Sequence, residues 1–127
     1  MGYQNILLID DDDDDQEIFL LAVAQVSKAV TCIALSGAVD ALQKLASNEI
    51  NPEIIFLDLN MPVIDGLQFL IKMKQIKRLK NIPVIIFSTS AHPATIQHSK
   101  ELGASGYITK PDNFNDLAGL LTPLLCL

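Results

Sequence analysis

Cysteine, glycine-rich loops and cationic residues are all scarce in this 127-residue chain. Its two cysteines, Cys32 and Cys126, form no CxxC pair and have no neighbouring His or Cys ligands, which argues against a zinc site or a disulfide framework. A reduced, cytoplasmic setting fits that usage. Neither GxGxxG nor GxxxxGK[ST] occurs, so a nucleotide cradled by backbone amides is not expected. Nine Lys and Arg face fifteen Asp and Glu, and the net charge of −6 argues against non-specific binding to nucleic acid or to an anionic membrane. No apolar run approaches membrane-spanning length, and residues 1–5 are not the basic start of a secretory signal. Gly2 alone is poor evidence for myristoylation.

What remains reads as one α/β domain, residues 1–127. Half the residues are hydrophobic and 19% are charged, a composition that can fill a core. Short apolar runs recur at Ile6 to Ile9, Ile33 to Leu35, Ile54 to Leu57, Val84 to Phe87, and Tyr107 to Ile108. Continuous runs of this kind suit strands buried on both faces. Between them lie helix-length segments, roughly Asp14 to Ser27, Ala38 to Asn48, Gly66 to Leu79, Pro93 to Leu102, and Asn113 to Leu125. Five repeats of strand then helix predict a parallel sheet with helices on both faces. Pro52 and Pro83 precede strands, Asp65 and Gly66 open a helix, and Gly103 closes one.

In an open parallel sheet the carboxyl ends of the strands face the ligand crevice. Here those ends carry Asp10 and Asp11, Asp58, Ser88, and Thr109 with Lys110. Hard carboxylate oxygens suggest Mg2+, which takes one or two carboxylates, several waters and a phosphate oxygen. A carboxylate, a magnesium ion and a lysine together can neutralise a transferring phosphoryl group. Taken singly, Asp10-Asp11 would be a turn or cap and Lys110 a snorkelling surface lysine at least as often as a site. Their joint placement at separate strand ends favours the functional reading. Asp12 to Asp15 complete a six-aspartate run and read as solvated loop and helix start, where carboxylates meet the positive dipole end.

Four motifs carry a resemblance over nearly the whole chain: Leu8-Ile9-Asp10-Asp11, Phe56 to Gly66 with its DxxMPxxDG core, Ile85-Ile86-Phe87-Ser88, and Gly103 to Pro111. Together they resemble the receiver domains of two-component response regulators. The resemblance implies a flavodoxin-like, doubly wound (βα)5 fold with strand order 2-1-3-4-5. It implies Asp58 as phosphoacceptor, taking phosphoryl from a histidine kinase or histidine phosphotransfer protein. Asp10, Asp11, Asp58 and the backbone carbonyl of Asn60 would serve the magnesium site, with Asp10 acting through a coordinated water. Lys110 would pair with Asp58, Ser88 would bond the phosphoryl group, and Tyr107 would swing between exposed and buried rotamers. Asn60 and Ser90 would govern phosphate lifetime, a cis Lys110-Pro111 peptide would aim the lysine, and Asp65-Gly66 would be structural.

Three departures stand out. Asp112 replaces the aromatic residue common after Lys-Pro, leaving Phe114 to supply the packing, and Thr89 replaces a small residue. The acidic run adds charge that raises metal affinity or slows an anionic donor. The basic stretch of Lys72, Lys74, Lys77, Arg78 and Lys80 reads as a solvated face of the third helix, lacking the aromatics that stack bases. His92 and His98 read as surface histidines. Leu20, Leu21 and Ala24 fall off the inward face of the first helix, where a partner could cover them. The apolar end, Leu120 to Leu127, is expected to pack on the core, with a homodimer as the alternative, and Pro123 to kink or end the last helix. The resulting expectation is a non-enzymatic, stand-alone receiver without an output domain, whose phosphorylation switches binding to a downstream protein. The rivals are a phosphorylation-independent adaptor and a haloacid-dehalogenase-like phosphatase, the latter disfavoured by Asn60 standing where a second carboxylate is required.

Overall fold

The computed structural model describes residues 3–61 and 63–125. Strands and helices alternate as β1 (Asn5–Ile9), α1 (Asp13–Val26), β2 (Thr31–Leu35), α2 (Ala38–Ala46), β3 (Ile54–Leu57), α3 (Gly66–Lys74), β4 (Val84–Ser88), α4 (Pro93–Glu101), β5 (Gly106–Thr109) and α5 (Phe114–Leu125). All pairings are parallel and the order is β2-β1-β3-β4-β5, the topology expected from the sequence.

Because neighbouring side chains on a strand point to opposite faces, each buried strand feeds two cores. Leu7, Ile9, Ile55, Leu57 and Ile86 pack with residues of α2 and α3 such as Leu45 and Phe69. Ile6, Leu8, Ile54 and Phe56 pack on the other face with α1 and α5. There Phe19 lies 5.1 Å from the Phe56 ring and 5.5 Å from Phe87, both tilted rather than stacked. Phe114 is half-buried on that same face, so it does supply aromatic packing after Asp112. Among the described residues no helix is long and apolar enough to cross a membrane.

Several boundaries differ from the sequence reading for local reasons. Helix α3 stops at Lys74, and residues 75–82 continue in turns whose amides reach back three or four residues, as from Leu79 and Lys80 to the carbonyl of Ile76. Lys77, Arg78 and Lys80 therefore lie beyond α3 rather than on its face. Arg78 turns back to donate to the Leu45 and Ala46 carbonyls, placing a cation at the carbonyl end of α2. Helix α2 itself ends at Ala46, and Asn48 follows with φ of 66°, in the left-handed region where Asn is tolerated. Pro123 does not end α5. It lacks the amide that would bond the Gly119 carbonyl, but buried Leu121 and Leu125 hold the last described turn on the core. Leu20, Leu21 and Ala24 are exposed as expected, and Cys126 and Leu127 lie outside the described residues.

Candidate functional site

Sheet register brings the first two carboxylates together. Ile9 pairs with Leu57, and the Asp58 amide donates to the Ile9 carbonyl at 2.9 Å, so Asp10 and Asp58 leave adjacent strands side by side. Asp10 is fully buried and Asp58 is 5% exposed. Gly66 closes the far side of this corner. A Cβ there would lie 2.3 Å from the Asp58 carbonyl oxygen and 2.8 Å from Leu59 Cα, so any side chain would displace the loop that carries Asp58. Asp65 holds the same loop by capping α3: its carboxylate accepts from the Gln68 amide while the Gln68 side chain accepts from the Asp65 amide. Asp65 thus caps α3, and Gly66 leaves room for the loop that carries Asp58.

Lys110 arrives from the opposite side. The Lys110 amide donates to the Ser88 carbonyl at 2.7 Å, which extends the β4–β5 register by one residue. Its ammonium lies 2.8 Å from Asp10 Oδ2, 2.7 Å from Asp15 Oδ2 and 3.8 Å from Asp58 Oδ1. The Phe87 ring lies beneath it at 5.4 Å. No cis peptide occurs among the described residues, so Lys110-Pro111 is trans, contrary to the resemblance. The ordinary isomer already brings the lysine to the carboxylates, and trans is the lower-energy form by about 0.5–1 kcal/mol.

Asp15 corrects the sequence reading more deeply. It belongs with the site, while Asp12 forms the N-cap of α1, its carboxylate accepting from the Asp14 and Asp15 amides. The missed signal was helical spacing. Asp15 precedes Phe19, Ala22 and Val23 by four, seven and eight residues, so it opens the inward stripe of α1.

Burial pushes the Asp58 carboxyl up to about 6; Lys110 opposes this, Asp10 adds to it, and the amides of Asn60 and Leu59 favour the ionised form. Asp10 is also raised, chiefly by burial, against the pull of Lys110. For Lys110 burial acts downward, but its bonds to Asp10 and Asp15 prevail and raise it. One oxygen each from Asp10, Asp11 and Asp58 lies within 4.8 Å of the others, with Asp11 exposed. Such a donor set fits a hard divalent cation that keeps waters on its open side.

Ser88 is buried at the end of β4, and its Oγ accepts from the Ser90 amide at 3.2 Å. Tyr107 is half-buried, its hydroxyl donating to the Ser90 carbonyl at 2.6 Å. Asn60 is exposed and Ser90 half-buried near this edge, while Thr89 points to solvent. His92 and His98 are exposed, and His92 Nδ1 caps α4 by accepting from the Ala94 amide.

Comparison with known proteins bears on the whole arrangement. Response regulator Rcp1 of Synechocystis sp. is 41% identical over 70 residues, covering 55% of this chain and about half, 48%, of Rcp1. The crystal structure of the phosphorylated cyanobacterial phytochrome response regulator RcpA is similar with a TM-score of 0.86 at 30% identity, over 96% of this chain and 91% of that one. The Mn2+-bound form of response regulator Rcp1 gives 0.83 at 32% identity, over 94% and 90%. The model of the response regulator receiver domain matches residues 6–122, and the chain belongs to that family of two-component signalling domains.

Proposed function

We propose that this receiver is a magnesium-dependent phosphoacceptor, phosphorylated on Asp58 by a histidine kinase or histidine phosphotransfer protein. One observation carries the reading: a buried carboxylate at a strand end lies beside two more carboxylates and 3.8 Å from an ammonium. Asp58 would attack phosphorus, forming an acyl phosphate while the P–N bond of the donor breaks and its electron pair leaves with the imidazole. A carboxyl titrating near 6 is mostly ionised at neutral pH, as a nucleophile must be. Asp10, Asp11 and Asp58, with the Asn60 carbonyl, would hold Mg2+, which would neutralise charge on the transferring group. Two similar response regulators, RcpA in a phosphorylated form and Rcp1 in an Mn2+-bound form, support the same chemistry.

Lys110 and the Ser88 hydroxyl would then bond the phosphoryl oxygens. Phosphorylation adds about −1.5 to −2 charges, and these act only through contacts that differ between the two states. Ser88 Oγ is tied to the Ser90 amide and Tyr107 to the Ser90 carbonyl, so a shift of Ser88 would reach Tyr107 and the surface a downstream partner reads. Asn60 and Ser90 would set phosphate lifetime through water access. Incubation with acetyl phosphate and Mg2+ should add one phosphoryl mass to the wild type and none to Asp58→Asn. An unmodified wild type, or equal labelling of the variant, overturns this reading in favour of a phosphorylation-independent adaptor or another acceptor.

A further inference from the structure

We propose that Asp15 sets how readily the site takes up a phosphoryl group, by competing with Asp58 for Lys110. The proposal rests on reading Asp58 as the phosphoacceptor. An ammonium has three N–H donors. In Lys110 the two short contacts go to Asp15 at 2.7 Å and Asp10 at 2.8 Å, whereas Asp58 at 3.8 Å is beyond hydrogen-bond range. A phosphoryl group on Asp58 draws the ammonium toward itself and weakens one of those short bonds.

The two competitors are unequal. Asp10 is fully buried, so leaving it unpaired carries a large desolvation penalty. The Asp15 side chain is 36% exposed, and water can replace the lysine there. Asp15 also sits in the first turn of α1, its amide bonded to Asp12 Oδ1 at 3.1 Å, where the helix end stabilises a free carboxylate. Asp15 is therefore the partner that yields. While it holds Lys110 it diverts positive charge from Asp58 and places a carboxylate beside the path of an anionic donor. Asp13 and Asp14 share that turn and are exposed, but make no ion pair with Lys110. Only one aspartate of the helical part of the run should act on uptake in this way.

Two measurements test the proposal. Thermal melts of the metal-free wild type, Asp15→Asn, Lys110→Met and the double variant should show coupled effects; additive effects overturn the contact. Labelling with acetyl phosphate and Mg2+ should then be roughly threefold faster in Asp15→Asn than in wild type, the scale of a partly exposed ion pair. Asp13→Asn removes the same charge from the same turn and should change the rate less. Labelling of Asp15→Asn at or below the Asp13→Asn rate overturns the competition while leaving Asp58 as acceptor. An unlabelled wild type overturns the phosphoacceptor reading and this proposal with it.

Discussion

Helices α1 and α4 both start at the carboxyl ends of the strands and are anchored in opposite ways. The first has 14 residues, a carboxylate cap that satisfies two amides, and Phe19, Ala22 and Val23 buried in the aromatic core. The second has nine residues, a histidine cap that satisfies one amide at 3.2 Å, and Ser99 as its buried residue. Burial of apolar side chains supplies most of a helix's stability in a protein, so α1 should act as frame and α4 as the element that responds. The path into α4 is correspondingly local. Ser88 Oγ accepts from the Ser90 amide, Ser90 Oγ from the His92 amide, and His92 Nδ1 from the Ala94 amide. If Ser88 moves toward a phosphoryl group as proposed, these bonds would carry the movement in steps of two residues to the first turn of α4.

The sharpest way to break this contrast is to cut the core under each helix. Phe19→Ala should destabilise the fold by about 3–5 kcal/mol, because both ring neighbours lose their partner and a cavity is left between α1 and the sheet. Ile96→Ala, removing a half-buried side chain of α4, should cost no more than about 2 kcal/mol. Urea unfolding of both variants checks this, and equal losses would show that α4 is as firmly fixed as α1.

The acidic end of the frame should show a smaller effect that depends on pH. Asp58 is raised from an ordinary carboxylate value of 3.8 to about 6 by burial, so the folded state binds its proton more tightly than the unfolded state does. Stability from this group is fully present below about 3.8 and is lost as pH rises through about 6, a change of at most about 3 kcal/mol. At neutral pH Asp10, Asp11 and Asp58 repel one another, and a bound cation relieves that repulsion. Mg2+ should therefore raise the melting midpoint more at pH 7.5 than at pH 5. An unchanged midpoint at saturating Mg2+ would count against the metal site.

The sheet was legible because its strands are apolar on both faces and the segments between them are long enough only for crossovers. Asp10, Asp58 and Lys110 were legible because each follows a strand directly, with Asp11 one residue further on, and register then places neighbouring strand ends together. Asp15 was obscured by its company. Within a run of six identical residues composition cannot tell a helix cap, Asp12, from a charge on the inward stripe, Asp15; only the spacing to Phe19 separates them. The ends of α3 and α2 were misread for a different reason. Arg78 leaves the helical path to bind carbonyls some thirty residues earlier in the chain, and no local pattern encodes a partner at that distance.

The smallest predicted difference concerns the caps. Asp12→Ala removes the acceptor for two amides of α1 and should cost about 1 kcal/mol. Because α1 is fixed by its core, that loss should appear as a small fall in global stability, with the first turn remaining folded. His92→Ala removes one longer bond from α4 and should change global stability by roughly 0.5 kcal/mol or less. Its effect should instead be local, as faster amide exchange at Thr95 and Ile96, whose amides both reach the His92 carbonyl. Exchange measured on the two variants separates the cases. Faster exchange confined to the first turn of α4 in one variant, and absent from α1 in the other, is the outcome expected of a frame paired with a responder. Equal local fraying in both helices would mean that the cap, and not the buried face, is what distinguishes them.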